Sequence, residues 1–244
     1  MPDKPRGRIL CVTSNFPRWK DDSTPEFVFR LAQDLQALGW SVDVYAPHAP
    51  GAAISEKLDG IQVDRFRYFW PQSEQTICYG GGALANLRNN PIDKLKLPAL
   101  VFCEWAGLVR RLRNRDYDLL HTHWILPQGF VGALASRMTK TPHVTTIHGS
   151  DVLALKGPVV DRFKRFTLEA ADAVTANSSA TRNAAIALGP AAKNIQTIPM
   201  GASAQREANP DTVDLLRKRY RRPEGPLLLF TGRVVFEKGI EELI

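Results

Sequence analysis

The sequence has little of what small secreted, membrane-spanning or metal-stapled proteins depend on. Its three cysteines, Cys11, Cys78 and Cys103, are odd in number and far apart. They make neither a disulfide frame nor a Cys-x-x-Cys pair. Free thiols point to a reducing, cytoplasmic setting, and Cys11, in an apolar run, is expected to pack as a small hydrophobe. Long hydrophobic runs are missing as well. The longest mostly apolar stretch, 98–109, contains Glu104 and is too short to span a bilayer. The opening Met1-Pro-Asp-Lys-Pro-Arg-Gly-Arg leads into only four apolar residues, unlike a signal peptide. No Gly-x-Gly-x-x-Gly follows the first strand pattern, which argues against a dinucleotide cofactor. The run Gly80-Gly-Gly follows no strand and is read as opening no helix. Zinc-finger, RNA-recognition and basic-zipper signatures are absent, so nucleic acid is not an expected partner.

What is present is an ordinary globular composition. The 244 residues are 44% hydrophobic and 23% charged, enough for one large domain or one domain plus part of another. Thirty-two basic residues against 25 acidic ones give a net charge of +7. That balance favours acidic partners such as phosphorylated sugars, or peripheral contact with an anionic membrane face. The basic clusters at 110–115 and 217–222 fall at helix ends, where cations suit the helix dipole, and are read as solvated.

Apolar runs of strand length alternate with helical patterns. Strands are expected at 8–14, 41–46, 61–68, 118–122, 143–147, 173–176 and 195–199. Helices are expected at 25–38, 97–113, 128–138, 159–171 and 178–188. In the first helix Phe27, Leu31, Leu35 and Leu38 form the apolar stripe, Ser23 or Thr24 is the expected cap, and Gly39 the stop. Ser178 is positioned to cap the last. Segment 71–98 reads as a long functional loop or insertion. The alternation implies an α/β fold, a doubly wound, mostly parallel Rossmann-like sheet with helices on both faces. Small and polar residues at 201–210 suit a linker. A helix at 212–220 and an apolar strand at 227–230 follow.

Ligands of such sheets bind at the carboxyl ends of the strands, and several of these ends carry chemistry. After the first strand come Asn15, Arg18 and Lys20, leading to a helix N-terminus that could hold an anion. The run Leu120-His121-Thr122-His123-Trp124 places two imidazoles on one side of a strand by its period of 2. The run Thr145-Thr-Ile-His148-Gly149-Ser-Asp151 puts an imidazole at a strand end beside a glycine that lets a ligand approach the backbone. Near the end, Leu227-Leu-Leu-Phe-Thr-Gly232-Arg233-Val-Val-Phe-Glu-Lys238-Gly reads as strand, glycine turn, two cations and a helix start, an arrangement able to hold a diphosphate. A hydrogen-bonded core histidine and a solvated cation pair are the ordinary alternatives for these positions.

Together the pieces resemble a family. The runs 118–123, 146–151, 173–178, 198–201 and 231–239 occur in the order and spacing of the family 4 glycosyltransferases, which have the GT-B fold. The resemblance runs from about residue 8 to the end. It implies that residues 1–200 are an N-terminal, acceptor-binding Rossmann-like domain, 201–211 a linker, and 212–244 the incomplete start of a C-terminal domain that binds the nucleotide sugar. It implies sugar transfer from a nucleotide-diphosphate sugar to a carbohydrate, lipid-linked or small-molecule acceptor, with retention of configuration and no metal or other cofactor. Carried over by residue, Arg233, Lys238 and Gly232 match the donor diphosphate site, and His148 the histidine beside the donor sugar. Asn15, Arg18, His123, Trp124, Gly149, Asp151, Ser178 and Arg182 fall among cleft positions. Where the family often has a Gly-Gly turn after its first strand, this chain has Asp21-Asp-Ser-Thr-Pro. The family's acidic donor-site element lies beyond position 244, so the chain is expected to be truncated and inactive alone. Two other readings stay open. One is a metal-dependent hydrolase using His121 and His123, against which stand the few histidines and the lack of further ligands at metal spacing. The other is a non-catalytic carbohydrate- or nucleotide-binding module.

Overall fold

A computed structural model describes residues 5–189, 195–201, 208–220, 228–232 and 239–243. The chain divides into two compact units, Met1–Met200 and Gly201–Ile244. The first is built on one sheet. In chain order its elements are β1 (Arg8–Val12), α1 (Phe27–Ala37), β2 (Ser41–Pro47), β3 (Ser55–Leu58), β4 (Ile61–Phe66), α2 (Ala83–Asn89), α3 (Leu97–Asn114), β5 (Leu119–His123), α4 (Phe130–Thr139), β6 (His143–Ile147), α5 (Ser150–Leu153), α6 (Pro158–Ala170), β7 (Ala173–Ala176), α7 (Ser179–Ile186) and β8 (Ile195–Thr197). The strands lie in the order β3-β4-β2-β1-β5-β6-β7-β8. All neighbouring pairs are parallel except β3 with β4.

The alternation of side chains explains the layering. Leu10 and Val12 of β1 join Tyr45, Leu120, and Leu100, Leu108 and Leu112 of α3 in one core. Ile9 and Cys11 point the other way, into a core with Val42, Val44, Ile61, Val63 and the α1 residues Val28, Phe29 and Ala32. Strands buried on both faces read as continuous apolar runs, as parallel sheets require. Burial pushes the Cys11 thiol up to about 12, so it packs as a hydrophobe. Gly132 lets α4 lie close on the sheet: a Cβ there would fall 2.5 Å from Thr122 Cγ2 and 2.8 Å from His143 Nε2. The chain winds outward from β1 through β2 to β4 and returns to β5 on the other side of β1. Beside β1 the winding reverses, which opens a crevice at the strands' carboxyl ends.

Several local expectations are corrected. The fully buried residues of α1 are Val28, Phe29 and Ala32; Phe27 and Leu35 of the expected stripe pack partly buried against the same core, Phe27 also meeting Trp124 and His148, while Leu38 is exposed. No side chain caps α1; Thr24 donates its hydroxyl to Asp22 Oδ2 instead. Gly80-Gly-Gly does lead into a helix, α2, with Gly82 at its cap. Segment 71–98 also holds 3-10 turns at Gln72–Glu74 and Pro91–Lys96, so it is a folded insertion. The expected half-exposed strand 61–68 is shorter and largely buried, because Ile61 and Val63 pack with α1 on one face and Phe66 with the α3 core on the other, while β3 adds an antiparallel edge. In α6 Lys164 is turned inward and donates to the carbonyls of Val152 and Leu155. The cluster 110–115 is not merely solvated, since Arg111 reaches Asp64 at 2.6 Å and Arg115 reaches Asp43 at 3.4 Å.

The second unit contains α8 (Pro210–Tyr220), with Asp211 in its first turn and Arg217, Lys218 and Arg219 in its last, charges that suit its dipole. Among its described residues 228–230 no strand forms.

Candidate functional site

The crevice edge is built where β5 and β6 end. His121 and His123 do face the same side, their rings 4.5 Å apart. After His123 the backbone turns sharply, with Trp124 at φ 70°. β6 ends at Ile147, and His148 then precedes Gly149, whose φ of 95° suits glycine and starts α5. The two turns are tied together by one carboxylate. Asp151 Oδ2 accepts from Ile125 N at 2.7 Å and Oδ1 from His148 N at 3.1 Å. Asp151 is therefore a buried brace between the turns. Burial raises its carboxyl above the ordinary carboxylate range, opposed by these amide hydrogen bonds.

His123 Nδ1 and His148 Nε2 share a hydrogen bond of 3.1 Å, and their rings stack with centroids 5.3 Å apart. Trp124 and Phe27 complete the surround of His148, at 4.7 and 5.1 Å between centroids. Asn177 Nδ2 donates to the His148 carbonyl at 3.2 Å, so that oxygen is already held. Behind the pair, His121 Nε2 meets Thr146 Oγ1 at 2.8 Å, and Thr146 Oγ1 meets Thr175 Oγ1 at 2.7 Å, a hydrogen-bonded row across three strands.

All of these imidazoles are neutral at pH 7. Burial lowers His121 and His148 to about 4, with the nearby His121 charge adding to the effect on His148. His123 is lowered well below the ordinary value by burial first, then by His121 and His148. A neutral imidazole offers one donor and one acceptor. Because His123 Nδ1 is engaged by His148, its Nε2 is left as a buried atom with no partner among the described residues. Asn15 Oδ1, after β1, is another such atom. An unpaired buried polar atom costs free energy unless something fills its role.

The other candidates divide. Arg18 is not available to an anion at the α1 terminus: its guanidinium is clamped on Asp22 at 2.9 and 2.6 Å and lies over the Trp19 ring. That contact holds the Asp22 carboxyl far below the usual range. Ser178 caps α7, its Oγ accepting from Thr181 N at 3.2 Å. Arg182 Nε donates to the Ile195 carbonyl at 2.9 Å. Gly232 is described, in the second unit; Arg233 and Lys238 lie outside the described residues. Phe27, Asn177 and the threonine row were missed by sequence reasoning. Phe27 was visible as an aromatic at the first position of α1, but period alone assigned it to the core.

His121 Nε2 is taken by Thr146 and His123 Nδ1 by His148, and among the described residues no group of three or more His, Cys, Asp or Glu could hold a metal ion.

Residues 25–201 match the glycosyl transferase 4-like domain, and the chain belongs to that family. The chain is 32% identical over 242 residues to a Bacillus subtilis (strain 168) protein provisionally named teichuronic acid biosynthesis glycosyltransferase TuaC, covering 97% of this chain and 61% of that one. It is 29% identical over 174 residues to the D-inositol 3-phosphate glycosyltransferase of Xylanimonas cellulosilytica, covering 63% and 41%. Sucrose-phosphate synthase of Thermosynechococcus elongatus shares the fold with a TM-score of 0.68 at 21% identity, over 98% of this chain and 58% of that one. HepE of Anabaena, solved with UDP-glucose, does so with a TM-score of 0.54 at 18% identity, over 87% and 49%. The fold is thus the GT-B type expected, and the chain spans about three fifths of the TuaC relative.

Proposed function

We propose that this chain provides the acceptor-side domain, and the beginning of the donor-side domain, of a retaining glycosyltransferase. The donor is a nucleotide-diphosphate sugar and the acceptor a carbohydrate or lipid-linked sugar, with no metal required. The observation that carries the reading is the buried, neutral His123–His148 pair at the crevice edge of a chain in this family. The UDP-glucose bound by HepE supports the choice of donor class. As a sugar leaves its diphosphate, positive charge grows at the anomeric carbon and negative charge on the phosphate. An imidazolium beside the sugar would oppose the first. Burial keeps His148 neutral, so it can orient a hydroxyl by hydrogen bonding without repelling the forming cation. Arg233 and Lys238 would take the growing phosphate charge, and Gly232 would let the backbone approach it.

The metal-hydrolase alternative is disfavoured, because among the described residues no third His, Cys, Asp or Glu stands with His121 and His123 to hold a metal ion. A non-catalytic binding module is separated from an enzyme by assay. We expect turnover to need protein beyond these 244 residues, and transfer by a clean preparation of the 244-residue chain would overturn that part. In whichever form shows transfer, His148→Ala should lower kcat about 100- to 1000-fold, while His123→Ala, at the fully buried partner, should cost less activity and more stability. The reverse ranking would move the catalytic role to His123.

A further inference from the structure

His148 is held at every polar atom but one. Its amide donates to Asp151 Oδ1 at 3.1 Å, and its carbonyl accepts from Asn177 Nδ2 at 3.2 Å. Asn177 is itself oriented, since its Oδ1 accepts from the Thr181 hydroxyl at 2.8 Å. The His148 ring lies beside Trp124 and Phe27, and its Nε2 is bonded to His123 Nδ1 at 3.1 Å. Only Nδ1 has no partner among the described residues, and unlike His123 Nε2 it is not a sealed atom. His148 is half-buried, so Nδ1 is the atom left for a ligand. What it offers depends on where the ring proton sits. A neutral imidazole carries one, and the hydrogen bond at one nitrogen decides the state of the other.

The bond between the two rings can run in either direction. If His148 Nε2–H donates, His123 must carry its own proton on Nε2. That is a fully buried N–H with no acceptor among the described residues. If His123 Nδ1–H donates, the same buried atom is a bare nitrogen. Both leave a polar atom unpaired, and both cost free energy. Among buried backbone groups an orphaned N–H is the rarer of the two, and the same ranking favours the bare nitrogen here. The second direction leaves the His148 proton on Nδ1. We propose that His123 is a positioning residue that fixes His148 as a hydrogen-bond donor, with Nδ1–H turned to the ligand. His148 then takes up an oxygen lone pair of a sugar and cannot accept a proton at that atom as a general base. That the ligand is a sugar rests on the transferase reading; the place of the proton does not.

The proton is read by nitrogen NMR of the 244-residue chain carrying isotope-labelled histidine, at pH 7, where N–H and bare ring nitrogens have well-separated shifts. The signals of the pair are identified by their loss in His148→Ala and His123→Ala. Both residues should show Nδ1–H and a bare Nε2. Free histidine in water favours the opposite form, so this outcome is not a default. In His123→Ala water can reach the vacated place, and His148 should move toward the free form. In whichever form shows transfer, kcat should fall about tenfold in that variant, the effect of one lost hydrogen bond. His123→Asn keeps an amide N–H near the place of Nδ1. It should hold the proton on His148 Nδ1 and recover most of the loss. A merely structural His123 would lower stability in both variants without moving the His148 proton. Nε2–H on His148 in the parent chain would overturn the proposal, as would an unchanged His148 spectrum in His123→Ala. The parent spectrum decides the place of the proton even where a variant does not fold. Nδ1–H on His148 in a protein that transfers no sugar would uphold the proton assignment and count against the transferase reading alone.

Discussion

The two halves of the sheet bury polar groups in opposite ways. The half made by β1, β2 and β4 buries ions that are paired. Asp43 receives Arg8 at 2.6 Å and the Tyr117 hydroxyl at 2.7 Å, Asp64 receives Arg111 at 2.6 Å, and Arg65 is spent on the Pro17 and Ala53 carbonyls and Glu56. The half made by β5, β6 and β7 buries neutral imidazoles and threonine hydroxyls, and leaves His123 Nε2 open. A buried charge held by a counter-ion is not free to take a ligand, although Arg8, Arg65 and Arg111 each keep one buried Nε without a partner among the described residues. Neutral, incompletely paired groups cost stability and stay available, which is the pattern expected of a site. The crevice lies at the end of the second half.

Acid should break the second half first, with the largest effect. His121, His143 and His148 sit near 4 when folded, against an ordinary 6.5. Their folded values are depressed, so the stability they contribute is complete above pH 6.5 and is lost as pH falls toward 4. Each can cost up to about 3 kcal/mol. Chemical denaturation between pH 7 and 4 should show this fall. A flat profile would mean that the imidazoles are not held neutral by burial. Glu104 acts oppositely. Burial raises it from 4.5 to about 8, so its contribution is complete below 4.5 and is lost as pH rises toward 8, and Glu104→Gln should remove that loss.

Next in size, Arg65→Ala should strand Glu56 and two carbonyls in the charged half. It should cost about 3–5 kcal/mol in urea unfolding, with the His123–His148 bond unaffected. A change in imidazole titration by NMR in that variant would erase the distinction between the halves. The smallest effect should come from Ser178→Ala. As a helix cap it should lose about 1 kcal/mol of stability and leave transfer rates unchanged. A loss of activity without a loss of stability would make Ser178 part of the site.

Periodicity and stop signals were enough to read the strands 143–147 and 173–176 and the cap at Ser178, because these are local choices of backbone and neighbouring side chains. The order of motifs pointed to the family for the same reason: each is a short strand-to-turn run whose spacing the chain itself records. Sequence could also place His121 and His123 on one side of a strand. It could not show that His123 bonds His148, which is 25 residues away and meets it only through the parallel pairing of β5 with β6. It could not show that Arg18 is spent on Asp22, or that Phe27, besides lining the α1 core, packs on His148. Nor could it show that the turn at 91–96 buries Asp93 and Lys96 and exposes Ile92 and Leu95. Burial is a property of what packs around a residue. The sequence determined which groups could do chemistry, and the tertiary structure decided which were neutralised by partners and which were left open.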